Sequence, residues 1–183
     1  LNELEARSEM PAIWLEIGTG KKNKVILGMV YREHKSWRGN AAELRLVSQQ
    51  KRWRDWLNSY QDLWEGEREV IIMGDFNIDL QRKESGCKAR MQQDTTSKLL
   101  SKGWCQLMTE KTFKSKSRTL QSKDGGSTID WILVNKPKNI VKTKAEWTGS
   151  GADHAIVWAI KEMREEFRRK QMTRKRVWKK VQM

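Results

Sequence analysis

Apolar residues along this chain fall into continuous short runs in some places and into three- and four-residue steps in others. Ala12–Ile17 and Lys24–Tyr31 are apolar-rich runs joined by the turn-rich Gly18-Thr19-Gly20-Lys21-Lys22-Asn23, a pattern that predicts a hairpin. Val70-Ile71-Ile72-Met73 is apolar without a polar break, as expected of a strand buried on both faces. Gly74 follows and is expected to allow a sharp turn that delivers Asp75 and Asn77 to the carboxyl edge of a sheet, where open α/β sheets bind ligands. Two later runs have the same character: Ser127–Val134, with one acid at Asp130, and Ala155–Ile160, headed by Asp153-His154. Trp104–Met108 and Val141–Trp147 read as further strands. Leu44, Val47, Trp53, Trp56, Leu57, Tyr60, Leu63 and Trp64 recur mostly at helical steps, so one long helix should lay an apolar stripe on the sheet. Asn40-Ala41-Ala42-Glu43 resembles a capping box at its start, and Gly66 interrupts the pattern. Asp79–Gly86 reads as a polar loop, followed by a shorter helix over Asp94–Ser101 that Gly103 stops.

Length and composition narrow the function classes. A chain of 183 residues is enough for one domain with a sizeable core. Lys and Arg number 37 against 23 acidic residues, and the resulting net charge of +14 points to a polyanionic partner. No apolar run approaches membrane-spanning length and no basic helix has a strong apolar face, so a membrane partner is not expected. Cys87 and Cys105 lack a Cys-x-x-Cys spacing and His34 is the sole histidine besides His154, which argues against a zinc site and fits a reducing compartment. The ten tryptophans are expected mostly in the core rather than as a base-stacking platform. Lys111–Lys123 carries five basic residues and no acid, either a solvated loop or a segment that straddles a nucleic-acid backbone through Lys114, Lys116 and Arg118. Beyond residue 160 the composition shifts: Lys161–Met183 holds ten basic and three acidic residues without a continuous apolar face, the signature of an exposed helix or tail. The domain is therefore expected over 1–160 and a basic tail over 161–183.

Three strand ends thus carry Asp75 with Asn77, Asp130, and Asp153 with His154. Singly, each has a plain structural reading, since an Asp after a strand commonly forms a turn or caps a helix. Three together are harder to explain as core residues, because unpaired buried charge is costly, and they point to a single site. Gly74-Asp75-Phe76-Asn77, Ser127-x-Ile129-Asp130-Trp131 and Asp153-His154, in this order, resemble the second half of the endonuclease/exonuclease/phosphatase superfamily, which includes apurinic endonucleases and pancreatic-type DNases. Val30-Tyr31-Arg32 and Lys111-Thr112-Phe113 match two further landmarks. The run from Trp14 through Ser36-Trp37-Arg38-Gly39-Asn40 most resembles the endonuclease domain of non-long-terminal-repeat retrotransposons; the resemblance covers residues 12–160.

That resemblance implies an α+β sandwich of two packed mixed β-sheets flanked by helices, and a metal-dependent phosphodiesterase that nicks target DNA for reverse transcription. Asp75 is expected to orient or activate water, with Asn77 fixing the water and the phosphate. Tyr31 and His154 are implied to contact the scissile phosphate, and Asp130 to hold and polarise His154. Asp153 is expected to help bind a hard cation, Mg2+ or alternatively Mn2+, with Thr112 and Ser127 in support. The partners implied are DNA, with RNA as a further substrate, and a reverse transcriptase domain in the same parent polyprotein, which suggests the nucleus. The family also carries an Asn and a Glu in its first half that help to hold the metal, and no stretch here matches them. The expectation is therefore a fragment, with a catalytically inactive nucleic-acid-binding remnant as the alternative function and an uncovered sheet edge as a structural consequence.

Overall fold

Strand β3 (Glu69–Asp75) organises the molecule in the computed structural model, which describes residues 4, 10–18, 24–33, 41–114, 126–149 and 151–162. The capping box at Asn40, the Ser36–Asn40 run, Lys116, Arg118 and the basic tail beyond residue 162 lie outside the described residues. To one side of β3, β2 (Val25–Tyr31) runs parallel and β1 (Ala12–Ile17) folds back antiparallel on it, the expected hairpin. To the other side, β5 (Asp130–Val134) is antiparallel and carries the short β4 (Cys105–Gln106) at the edge. The result is a mixed five-stranded sheet of order β1-β2-β3-β5-β4; β6 (Ile140–Glu146) and β7 (Ile156–Lys161) form a separate antiparallel pair.

Alternation along β3 assigns its two faces. Val70 and Ile72 point into a core shared with Trp14, Val30, Trp131 and Leu133 of the neighbouring strands, closed by helices α1 (Ala41–Ser59), α2 (Gln61–Glu65) and α3 (Gly86–Lys98). Ile71 points the other way, into a smaller core with Ile132, Val134, Ala145 and Ala155, where the β6–β7 pair packs on the sheet. The strand is buried on both faces, as its unbroken apolar run predicts. The tryptophans do belong mostly to the core. Trp53 stacks on Trp56 and Phe76 on Trp131, with centroids 5.0 and 4.5 Å apart. Two of the ring nitrogens find partners: Trp53 donates to Thr95 Oγ1 at 3.1 Å and Trp131 to the Thr128 carbonyl at 3.2 Å.

Several expected boundaries move for identifiable reasons. The long helix is two, because the chain turns at Tyr60, and Val47 lies 48% exposed, off the stripe. The shorter helix starts at Gly86 rather than Asp94, and a 3-10 turn (Leu100–Lys102) follows it before Gly103, at φ +87°, ends the run as expected. The strand expected over Trp104–Met108 shrinks to two residues because the Gln106 carboxamide takes both the Met108 amide and the Met108 carbonyl, diverting the backbone from the ladder. Gly74 is not the turn. It sits inside β3 at φ +145°, and a Cβ there would lie 1.8 Å from the Val30 carbonyl oxygen, so its bare backbone lets β2 approach.

The β6–β7 pair covers only part of the larger sheet. Ile13, Leu15 and Ile17 of β1 and Met29 of β2 share the face of Ile71, yet each is 44–60% exposed. Among the described residues this apolar face stands open.

Candidate functional site

The ladder registers bring three strand ends to one place. Tyr31, the last residue of β2, pairs with Asp75, the last of β3, and Asp75 pairs in turn with Asp130, the first of β5. Residues directly opposite in a ladder point to the same face, so the phenol and the two carboxylates share one corner of the sheet. Phe113 adds the fourth component, because its backbone bridges Ser127 on one side and His154 on the other. The Lys114 amide donates to the Asp153 carbonyl at 2.8 Å, and the Ala155 amide donates to Thr112 at 2.7 Å, tying the His154 loop to the same segment. His154 is thereby held with Nδ1 3.1 and 3.2 Å from the two Asp130 oxygens, its ring tilted against Phe113 at 4.9 Å.

The turn after β3 is built from side chains. Asn77 adopts φ +50°, a left-handed conformation that Asn tolerates better than most residues. Its amide donates to Asp75 Oδ1 at 2.9 Å and its side-chain nitrogen to Asp75 Oδ2 at 3.0 Å, so both carboxylate oxygens are oriented by one residue. The same nitrogen also donates to the Arg32 carbonyl at 2.9 Å. Arg32, only 4% exposed, completes the clamp: its amide donates to the Asp75 carbonyl at 2.8 Å, Nε to the Phe76 carbonyl, and Nη2 to the Asn77 carbonyl at 2.8 Å.

Burial raises the Asp75 carboxyl above its ordinary pKa, and the nearby Asp130 charge raises it further, against the lowering influence of the Asn77 hydrogen bonds and of His154. Burial likewise lowers the Arg32 guanidinium to about 10, opposed by the Asp75 charge. Asp75, Asp130 and His154 each offer a ligand atom, and these atoms all lie within 4.8 Å of one another.

The structure therefore brings together Asp75, Asn77, Asp130, His154 and Tyr31. Thr112 is wholly buried, and its hydroxyl accepts the amides of Ile129 and Asp130 at 3.1 and 3.0 Å, so it acts on the start of β5. Ser127 is half-buried and pairs with Phe113 through its backbone. The Lys114 ammonium lies over the Trp147 ring at 4.6 Å. Asp153 is half-buried beside His154, outside the trio whose ligand atoms converge. Two residues escaped the reading of the sequence as site components: Arg32, and Asp79, whose carboxylate takes the Thr128 amide at 3.1 Å and the Gln81 amide at 2.9 Å. The signal for Arg32 was its position as the first charged residue after the apolar run of β2.

A family model described as endonuclease-reverse transcriptase matches residues 29–158, well over half of the chain and every residue of this corner. The chain belongs to that family. Its fold is that of the endonuclease/exonuclease/phosphatase superfamily. The catalytic domain of Xenopus laevis APE2 superposes with a TM-score of 0.60 at 14% identity, covering 88% of this chain and 58% of that one. The 3′ phosphatase NExo from Neisseria, solved with a product DNA hairpin, gives 0.56 at 16% identity over 75% of this chain and 61% of that one. An AP endonuclease from Archaeoglobus fulgidus gives 0.56 at 15%, over 75% and 61%. The family member described here thus spans about three-fifths of the length of these structures. No curated protein sequence matches it.

Proposed function

We propose that this chain carries the hydrolytic centre of a DNA-nicking endonuclease of a non-long-terminal-repeat retrotransposon, cutting the target strand that primes reverse transcription. The observation that carries the reading is the convergence of Asp75, Asp130 and His154 within 4.8 Å at a sheet corner where Asn77 orients Asp75. Phosphodiester hydrolysis needs an aligned and partly deprotonated water, and neutralisation of the charge that develops on phosphate. Asp75 receives the proton of the attacking water, and its raised pKa makes it a better base than an ordinary carboxylate. Asn77 spends its side-chain nitrogen on Asp75 and on the Arg32 carbonyl, and so fixes the direction of the base. His154 turns Nδ1 to Asp130, which leaves Nε2 for the scissile phosphate. Tyr31, half exposed at the same edge, offers its hydroxyl to a phosphate oxygen.

A divalent cation fits this corner, because two carboxylates close enough for one to raise the pKa of the other gain from a shared positive charge. Asp153 would hold it as the resemblance suggests, with Asp130 beside it, and it would stabilise the leaving oxygen, with Mg2+ or Mn2+ as the candidates. DNA is the favoured substrate because of the +14 net charge and because the family description couples the endonuclease to a reverse transcriptase.

The test is nicking of supercoiled plasmid by the purified chain with Mg2+, with a chelator, and with Asp75→Ala. Cation-dependent nicking that the substitution abolishes is the expected result. A folded chain that binds DNA without nicking it would instead mark a binding module.

A further inference from the structure

Asp75 and Asp130 form the last rung of the β3–β5 ladder, and side chains take over from the backbone beyond it. The Phe76 amide still donates to the Ile129 carbonyl at 2.9 Å, but the reciprocal bond of an antiparallel rung is not made. The Phe76 carbonyl accepts Arg32 Nε instead, and the Ile129 amide turns to Thr112 Oγ1 at 3.1 Å. The Thr128 amide, one position further out, goes to Asp79 Oδ2 at 3.1 Å. The two strands therefore part directly after Asp75, at the place where its carboxylate approaches those of Asp130 and the His154 ring.

One residue holds the β3 side of that parting. The Asp75 carbonyl accepts the Arg32 amide at 2.8 Å, the Phe76 carbonyl accepts Nε, and the Asn77 carbonyl accepts Nη2 at 2.8 Å, so three consecutive carbonyls are bound by Arg32. Stability alone does not account for a guanidinium here. The residue is 4% exposed, which takes its charge out of water, and Nη1 has no hydrogen-bond partner. Apolar side chains of similar volume commonly stabilise as well as a buried charge or better. What a guanidinium alone supplies is a rigid fork of N–H groups, set here on two successive carbonyls of the turn. That turn includes Asn77 at φ +50°, a conformation that persists only where its surroundings over-determine it.

We propose that Arg32 is a positioning residue for phosphodiester cleavage: it fixes the Asp75–Asn77 backbone in the turn that aims the Asp75 carboxylate, without touching the substrate. This role rests on the reading of the corner as a hydrolytic centre.

Single-turnover nicking of supercoiled plasmid at increasing enzyme concentration separates the chemical step from DNA binding. Arg32→Met keeps bulk and removes the fork. Its saturated rate, corrected for the folded fraction, should fall by ~10², the scale on which misplacement of a reacting group acts, while the half-saturating concentration stays at the wild-type value. Arg32→Lys keeps the charge and offers one nitrogen where the guanidinium uses two, so its rate should lie between the two. If Arg32→Met does not fold, Arg32→Lys decides, and a wild-type rate in that variant overturns the proposal. A folded Arg32→Met that nicks at the wild-type rate overturns it and leaves the nuclease reading standing. So does a rise in half-saturating concentration at unchanged saturated rate, which would make Arg32 a DNA contact. A folded wild-type chain that binds plasmid without nicking it overturns the nuclease reading and this role together.

Discussion

At the scale of single residues, the corner works through a few oriented polar atoms, and each has a distinct signature. Replacing His154 by Ala removes the imidazole from Asp130 without disturbing a core contact, since the ring is only half-buried. Plasmid nicking should drop by ~10²–10³ while the melting temperature changes little. Asp75 makes a pH-dependent prediction. Its pKa is raised in the folded state, so between the unfolded and folded values the native chain binds more protons than the unfolded one, and stability falls as pH rises through that window. Asp75→Asn removes this ionisation. It should raise the melting temperature at neutral pH, lose that advantage below the carboxylate range, and abolish nicking throughout; a gain that persists unchanged at acid pH would contradict the assignment. Asp75, Asn77, Asp130 and His154 were legible in the sequence because each ends or begins an apolar run. Arg32 was not, because its partners lie 44 and 45 positions away and only the parallel pairing of β2 with β3 brings them into reach.

At the scale of elements, two backbone junctions hold those residues in register. Gly74 permits the close approach of β2 to β3 that sets Tyr31 beside Asp75, and a Cβ would collide with the Val30 carbonyl at a φ that L residues rarely adopt. Gly74→Ala should therefore destabilise by several kcal/mol, on the order of 3 or more, seen as a lower urea midpoint. The glycine was visible in the sequence, but its purpose was not. Local pattern suggested a turn after an apolar run, whereas the turn belongs to Asn77 and the constraint on Gly74 comes from a neighbouring strand. Thr112 is the second junction. Its hydroxyl accepts the Ile129 and Asp130 amides and so fixes the first turn of backbone in β5 from which the Asp130 side chain leaves. Thr112→Val keeps the shape and strands two buried donors, for a loss of about 2–4 kcal/mol, and Thr112→Ser should restore most of it. Equal behaviour of Val and Ser in denaturant titrations would show that packing, not the hydroxyl, is what matters there.

At the scale of the whole molecule, the alternation of β1 divides two environments that a sequence window alone cannot tell apart. Trp14 is 2% exposed in the helix-side core, while its neighbours Ile13 and Leu15 are 60% and 47% exposed on the face that the β6–β7 pair does not reach. All three residues are apolar, so composition marks the strand as buried on both faces; only the placement of the second sheet over β3 and β5 shows that one face is open. An apolar surface next to an edge strand favours association between copies. Leu15→Lys should accordingly leave stability within ~0.5 kcal/mol, as for a surface substitution, and reduce concentration-dependent light scattering. Trp14→Ala, one residue away and pointing to the opposite face, should cost about 3–5 kcal/mol through the cavity it opens. The pair of measurements reads the sheet from both sides. If Leu15→Lys proved as damaging as Trp14→Ala, the face would be buried in solution against something that occupies it, and the open corner between β1, β2 and the β6–β7 pair would have to be redrawn as an interior.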